Sequence, residues 1–165
     1  MNKPKRIGIV GCGNISPAYF NGCKPYSVIE IVACADMAPE VAAEKAAQFQ
    51  IPKVYTVDEL LADESIDIVV NLTVPKVHAE VNLAGIAAGK NVHCEKPLAI
   101  NRMDGIRTLE AAEEKGVRVG CAPDTFLGGG IQTCRKLIDD GWIGTPVAAT
   151  AYFLSVGHER WHPAP

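Results

Sequence analysis

The sequence predicts an α/β fold, a doubly wound parallel sheet, on three observations. Short apolar runs rich in Val and Ile recur along the chain and alternate with segments of helical periodicity. Each run is short enough for a buried strand, and Gly and Pro residues punctuate the links between them. The first of them, Ile7, Ile9 and Val10, breaks at once into Gly11-Cys12-Gly13, a strand feeding a tight turn.

Taken in order, Pro17 begins a short helix through about Lys24, and Pro25 stops it. A second strand runs from Val28 and is closed by Asp36. Pro39 opens an alanine-rich helix with Ala42, Ala46 and Phe49 on one face, ended by Ile51-Pro52. Lys53 to Tyr55 is a brief strand, and Thr56 with Glu59 predicts a capping box for a helix over Val57 to Ala62. Ile66 to Leu72 is the fourth strand. Pro75 then starts a helix with Val77, Val81, Ala84 and Ala88 as its apolar stripe and Gly89 at its end. Val92 to Glu95 is the fifth strand. Asn101 caps a helix with Ile106, Leu109 and Ala112 on one face and Gly116 beyond it, and Val117 to Cys121 supplies the sixth strand. Right-handed crossovers leave few ways to bury six such strands, so the expected strand order is 3-2-1-4-5-6 over a first domain of residues 1–123.

The texture changes after Pro123. Gly128-Gly129-Gly130 precedes a helix expected to turn Ile131, Cys134, Leu137 and Ile138 inward. A long strand is expected from Val147 to Val156, and its ladder groups need partners outside the first sheet or at its edge. Residues 124–165 therefore read as the beginning of a truncated, incomplete α+β second domain.

Composition narrows the function classes. A chain of 165 residues, 48% hydrophobic and with net charge -3, has no basic field for nucleic acid or an anionic membrane, so a small-molecule partner is expected. The apolar run after Lys3, Lys5 and Arg6 meets Gly11 too early for a signal peptide, and nothing approaches a membrane span. Six cysteines form no C-x-x-C pair, and most lie in apolar runs. A reduced cytoplasmic protein is expected.

The turn after the first strand predicts a dinucleotide seat and hence a Rossmann domain. Gly11 takes angles closed to other residues, Gly13 lets a pyrophosphate approach the main chain, and the helix opening after Asn14 aims unpaired N–H groups at that anion. Cys12 and Ile15 complete the loop, with Ser16 where a third glycine is expected. Asp36 stands at about the spacing of the acid that holds a ribose 2′-hydroxyl. With no Arg or Lys directly after it, Asp36 favours NAD, with NADP as the alternative. A turn glycine pair and a strand-ending Asp is the bland reading of the same residues.

Ligands bind such sheets at the carboxyl ends of the strands. Glu95-Lys96-Pro97 leaves the fifth strand there; Lys96 is the candidate general acid and base, or else half of a surface ion pair with Glu95. Pro97 restricts Lys96 to extended angles and is a candidate cis proline. Asn71-Leu72-Thr73-Val74-Pro75 leaves the fourth strand on the same rim and offers Thr73 and the helix start to the ribose and nicotinamide end. His78 either joins that site or simply bonds nearby backbone. His158-Glu159-Arg160-Trp161-His162 matches the H-E-x-x-H zinc signature, but Gly157 precedes it and Pro163 disfavours helical angles at His162, so no metal is expected.

Gly-Cys-Gly-Asn-Ile-Ser at 11–16, Asp36, Thr-x-Pro-x-x-His at 73–78 and above all Glu95-Lys96-Pro97 resemble the glucose-fructose oxidoreductase and inositol dehydrogenase family, Gfo/Idh/MocA. Ala122 to Phe126, Ile138 to Gly141 and the run from Val147 are similar to that family's passage into its second domain. The resemblance implies an NAD- or NADP-dependent oxidoreductase acting on a secondary alcohol of a sugar, cyclitol or related polyol. It makes the Lys of Glu-Lys-Pro, Lys96, catalytic, and places Gly11 to Ile15, Asp36, Asn71, Leu72, Thr73, Pro75, His78, Glu95 and Lys96 at the cofactor. Asp124 and Thr125 are the nearest candidates for substrate contact beside Lys96, with His158 and Trp161 weaker ones. A homo-oligomer is implied if the second domain is complete. A non-catalytic NAD-binding module is the alternative for a chain of this length.

Overall fold

Six strands lie parallel in the order β3-β2-β1-β4-β5-β6 in the computed structural model, which describes residues 3–157. They are β1 (Lys5–Val10), β2 (Ile29–Ala35), β3 (Lys53–Tyr55), β4 (Ile68–Asn71), β5 (Asn91–Cys94) and β6 (Val119–Cys121). The direction of winding reverses between β1, from which the chain proceeds outward to β2 and β3, and β4, from which it proceeds the other way to β5 and β6. In such sheets the crevice at that reversal is where a ligand is held. The observed order is the one the alternating pattern predicts.

Helices α1 (Ser16–Cys23), α2 (Pro39–Phe49), α3 (Val57–Ala62), α4 (His78–Ala87) and α5 (Arg102–Lys115) fill the crossovers. Apolar side chains on either side of the sheet form two cores. One joins Ile7, Ile9 and Val70 to Phe20 of α1 and to Ala42, Ala46 and Phe49 of α2. Phe20 and Phe49 stack at 4.9 Å, so the two helices meet through their aromatics. The other core gathers Val10, Val32 and Val69 with Leu60 of α3, Ile86 of α4 and Ala112 of α5. Complete burial of side chains such as Ile9, Leu60 and Ile86 contributes roughly 1.5–3 kcal/mol each, which fixes the strand register. The Thr56 capping box forms as its sequence predicts: the hydroxyl accepts from the Glu59 N–H, and the Glu59 carboxylate accepts from the Thr56 N–H at 2.8 Å.

Several elements depart from expectation. The chain from Pro75 makes a 3-10 turn (Pro75–Val77) before α4 begins at His78. The buried face of α4 is His78, Asn82, Gly85 and Ile86 rather than the stripe Val77, Val81, Ala84 and Ala88. Hydrogen bonds from two polar side chains turn the helix, and Gly85 allows close contact with Val92, whose methyl would stand 3.1 Å from a Cβ there. In α5 the buried pair is Thr108 and Ala112, and Leu109 is exposed. Thr108 satisfies its hydroxyl on the Asp104 carbonyl at 2.8 Å, so it can face the sheet at little cost.

The chain divides into two compact units, Met1–Asp124 and Thr125–Pro165. In the second, a 3-10 turn (Thr125–Leu127) precedes α6 (Gly129–Asp139). Ile131, Cys134, Leu137 and Ile138 are exposed rather than inward, although they do share a face. The strand expected over Val147 to Val156 is not formed: residues 145–157 are irregular and exposed. A strand is held by its neighbours' ladder bonds, and within this unit the described residues supply none. No helix among the described residues is long and apolar enough to cross a membrane.

Candidate active site

The glycine turn leaves β1 with Gly11 at φ +97°, a conformation that L side chains rarely adopt. A Cβ there would lie 2.7 Å from the Leu72 carbonyl carbon and 2.8 Å from the Thr73 nitrogen, so the turn and the loop after β4 touch through main chain. The Gly11 N–H donates to the Ala35 carbonyl at 2.8 Å, and the Cys12 N–H donates to Asp36 Oδ2 at 2.7 Å. The second Asp36 oxygen accepts from the Ala38 N–H at 3.0 Å. The half-buried carboxylate that closes β2 is thereby aimed at the glycine loop before any ligand arrives.

Gly13 is exposed, and a Cβ built on it would meet nothing within 4 Å. Ser16, fully buried, folds its hydroxyl back onto the Gly13 carbonyl at 2.8 Å and closes the turn into α1. Ser16 therefore does the packing work of the third glycine it replaces. Neither Ile15 nor any other side chain caps α1, and the N–H groups of Gly13, Asn14 and Ile15 make no protein hydrogen bond among the described residues. Open space in front of several free amides is what an oxyanion needs. The Cys12 thiol is buried and donates to the Ala35 carbonyl at 3.7 Å, and the neighbouring Cys34 together with burial pushes it above the ordinary range.

The loop after β4 is braced from below. Asn71, fully buried, donates to the His78 carbonyl at 3.0 Å and to Asn82 Oδ1 at 2.8 Å. Its own Oδ1 accepts from the Thr73 N–H at 3.2 Å and from the Thr73 hydroxyl at 2.6 Å. Asn71 thus spends its side chain on holding Thr73. The buried His78 ring has Nδ1 2.6 Å from the Pro97 carbonyl and Nε2 2.9 Å from the Thr73 carbonyl. It links the loop after β4 to the loop after β5, the backbone role that the sequence left open beside a cofactor role. Leu72 is buried, Thr73 is half-buried and Pro75 is exposed.

At the end of β5 the Lys96–Pro97 bond is cis. The Glu95 N–H donates to the Asn71 carbonyl at 2.8 Å, so the Glu95-Lys96 pair stands beside the Asn71-Thr73 loop. Glu95 Oε1 accepts from the Tyr19 hydroxyl at 2.8 Å, and Oε2 accepts from the Lys96 N–H at 3.0 Å. Lys96 is exposed, and its ammonium makes no ion pair among the described residues, so the pairing with Glu95 that its spacing permits is absent. Burial pushes the neighbouring Cys94 thiol up to about 11. Asp124 is exposed at the end of the first unit, and Thr125 opens the second. His158, Trp161 and His162 lie outside the described residues.

Sequence reasoning missed Tyr19, Asn82 and the buried Lys90, whose ammonium donates to the Asp63 and Ile66 carbonyls at 2.8 and 3.0 Å. Asn82 carried a signal, standing one helical turn after His78 inside an apolar helix. Tyr19 carried none.

Residues 5–122 match the model of an oxidoreductase family with an NAD-binding Rossmann fold, GFO_IDH_MocA. The chain belongs to the Gfo/Idh/MocA oxidoreductase family. Among Gfo/Idh/MocA proteins it is 34% identical over 148 residues to a 1,5-anhydro-D-fructose reductase of Ensifer adhaerens, an alignment covering 89% of this chain and 44% of the relative. It is 32% identical to inositol 2-dehydrogenase 3 of Saccharopolyspora erythraea, covering 87% and 43%. The crystal structure of the WlbA dehydrogenase from Bordetella pertussis in complex with NADH and UDP-GlcNAcA superposes with a TM-score of 0.80 at 28% identity, covering 85% of this chain and 41% of that one. The chain spans less than half the length of these Gfo/Idh/MocA relatives, and the glycine turn, Asp36 and the Glu95-Lys96-Pro97 loop all fall inside the family match.

Proposed function

We propose that this chain is the nucleotide-binding part of an NAD(P)-dependent dehydrogenase acting on a secondary alcohol of a sugar, cyclitol or related polyol. The observation that carries the reading is an exposed, unpaired Lys96 on the same rim as a glycine turn with free amides and an aimed carboxylate. The space before Gly13 fits a pyrophosphate, and Asp36 fits the ribose hydroxyls. Gly11, Cys12, Gly13, Asn14 and Ile15 would cradle the phosphates. Leu72, Thr73, Pro75 and Glu95 would line the nicotinamide end, with Asn71 and His78 holding their loops. A carboxylate repels a 2′-phosphate, which favours NAD over NADP. When bound, the nicotinamide supplies a hydride acceptor or donor.

The protein's own part is proton transfer. As the neutral amine Lys96 would take the proton of the substrate hydroxyl during oxidation, and as the ammonium it would return that proton during reduction. Asp124 is the nearest further group of this unit for substrate contact. Six free cysteines fit a reducing, cytoplasmic setting, and pairing of copies through the second domain is the expected assembly.

Replacing Lys96 by Ala tests the assignment. Calorimetric titration should give an NAD affinity within about twofold of wild type, while turnover on a polyol panel, followed by NADH absorbance, should fall on the order of 100-fold or more. Undiminished turnover in that variant would remove Lys96 from the mechanism. The alternative reading, a dinucleotide-binding module without catalysis, would be identified by NAD binding in a wild-type chain that turns over no polyol.

A further inference from the structure

Tyr19 has no role in the site as described so far, yet it ends on the candidate catalytic loop. It lies in the first turns of α1, half-buried, with its ring 6.2 Å from that of His93 on β5 and its hydroxyl on Glu95. The side chain thus reaches from the helix that follows the glycine turn to the end of β5 and the loop that carries Lys96. Burial first, and the nearby carboxylates of Glu95 and Asp124 next, raise its phenol above the ordinary range. Tyr19 therefore keeps its proton and acts as the donor. The Glu95 carboxylate is held from two sides, by this hydroxyl on Oε1 and by the Lys96 N–H on Oε2.

An unrestrained glutamate next to an exposed lysine can swing onto its ammonium, because nothing but side-chain entropy and solvent opposes the pairing. We propose that Tyr19 is a positioning residue that keeps the Glu95 carboxylate turned away from the Lys96 ammonium, leaving that amine free for the substrate hydroxyl. The proposal rests on Lys96 as the proton-transfer group. It adds a condition that Glu-Lys-Pro alone does not state: the acid of the motif must be tethered by α1.

Competitive acetylation with acetic anhydride, read by peptide mass spectrometry on the 165-residue chain, measures the availability of Lys96 against the other exposed lysines. Tyr19→Phe should lower Lys96 labelling about two- to fivefold, the size expected of a newly formed exposed ion pair. The double variant Tyr19→Phe/Glu95→Gln has no carboxylate to swing and should return to the wild-type rate, a rescue that loss of packing at Tyr19 would not produce. If Tyr19→Phe does not fold, Glu95→Gln alone serves: the Tyr19 phenol should titrate lower than in wild type as the neighbouring negative charge is removed. Unchanged labelling in Tyr19→Phe, no rescue in the double variant, or an unmoved Tyr19 titration in Glu95→Gln would each overturn the proposal. Labelling needs no turnover, so such a result leaves Lys96 standing as the catalytic group. Full turnover in Lys96→Ala would remove that group without touching the labelling result.

Discussion

Gly11 and Gly13 are two residues apart in one turn, and the same substitution at each should produce opposite phenotypes. At Gly11, alanine must take φ +97°, a left-handed conformation costing about 1–2 kcal/mol. Its Cβ also overlaps backbone rather than a flexible side chain, 2.7 Å from Leu72, so the loop after β4 has to move. Overpacking of this kind adds roughly 1–3 kcal/mol, and the sum lowers the melting temperature on the order of 10 °C. At Gly13 an added methyl meets no protein atom within 4 Å, so Gly13→Ala should change stability by less than about 0.5 kcal/mol. The methyl instead occupies the approach to the free amides, and NAD affinity should fall about tenfold or more. Thermal melting by circular dichroism and calorimetric titration with NAD read the two axes separately. A Gly13→Ala chain that binds NAD like wild type, or a Gly11→Ala chain that melts like wild type, would refute the assignment of these glycines.

Two further outcomes concern the framework under the site. Asn71→Ala leaves the half-buried Thr73 N–H and the buried Asn82 amide oxygen without their partner, and should cost about 2–3 kcal/mol, measured by urea unfolding. Asp63 is held well below the usual carboxylate range, first by the Lys53 ammonium at 2.7 Å and then by Ser65. Its folded pKa is depressed, so its contribution is full above the ordinary carboxylate value of about 4 and is lost as pH falls below it. Asp63→Asn should therefore melt lower than wild type at pH 7, with the gap closing as the pH drops towards 2.

Much of this was legible in the residues because several signals agreed. β-branched runs, the Thr56-Glu59 box and the Asn101 cap each name a position, and the crossover rule then leaves one strand order. The glycine turn and Asp36 were readable for the same reason, since only certain residue types satisfy that backbone. What escaped depends on partners distant in sequence. Counting apolar residues on α4 misplaced its buried face because His78 and Asn82 are buried through hydrogen bonds, which periodicity does not register. The apolar face of α6 and the run 147–156 have the pattern of buried elements, but a pattern states what a segment can cover, not what covers it. Tyr19 was invisible because its partner stands 76 positions away.

The two hydrogen bonds that Asp36 accepts from backbone amides have a consequence for cofactor exchange. An engineer wishing to admit a 2′-phosphorylated nucleotide would first remove this acid, and would thereby untie Cys12 and Ala38 as well. Selectivity and loop integrity are thus wired to one side chain. A successful conversion has to install new acceptors for both amides while placing a cation nearby, so single replacements at this position should yield a looser socket before they yield a different preference.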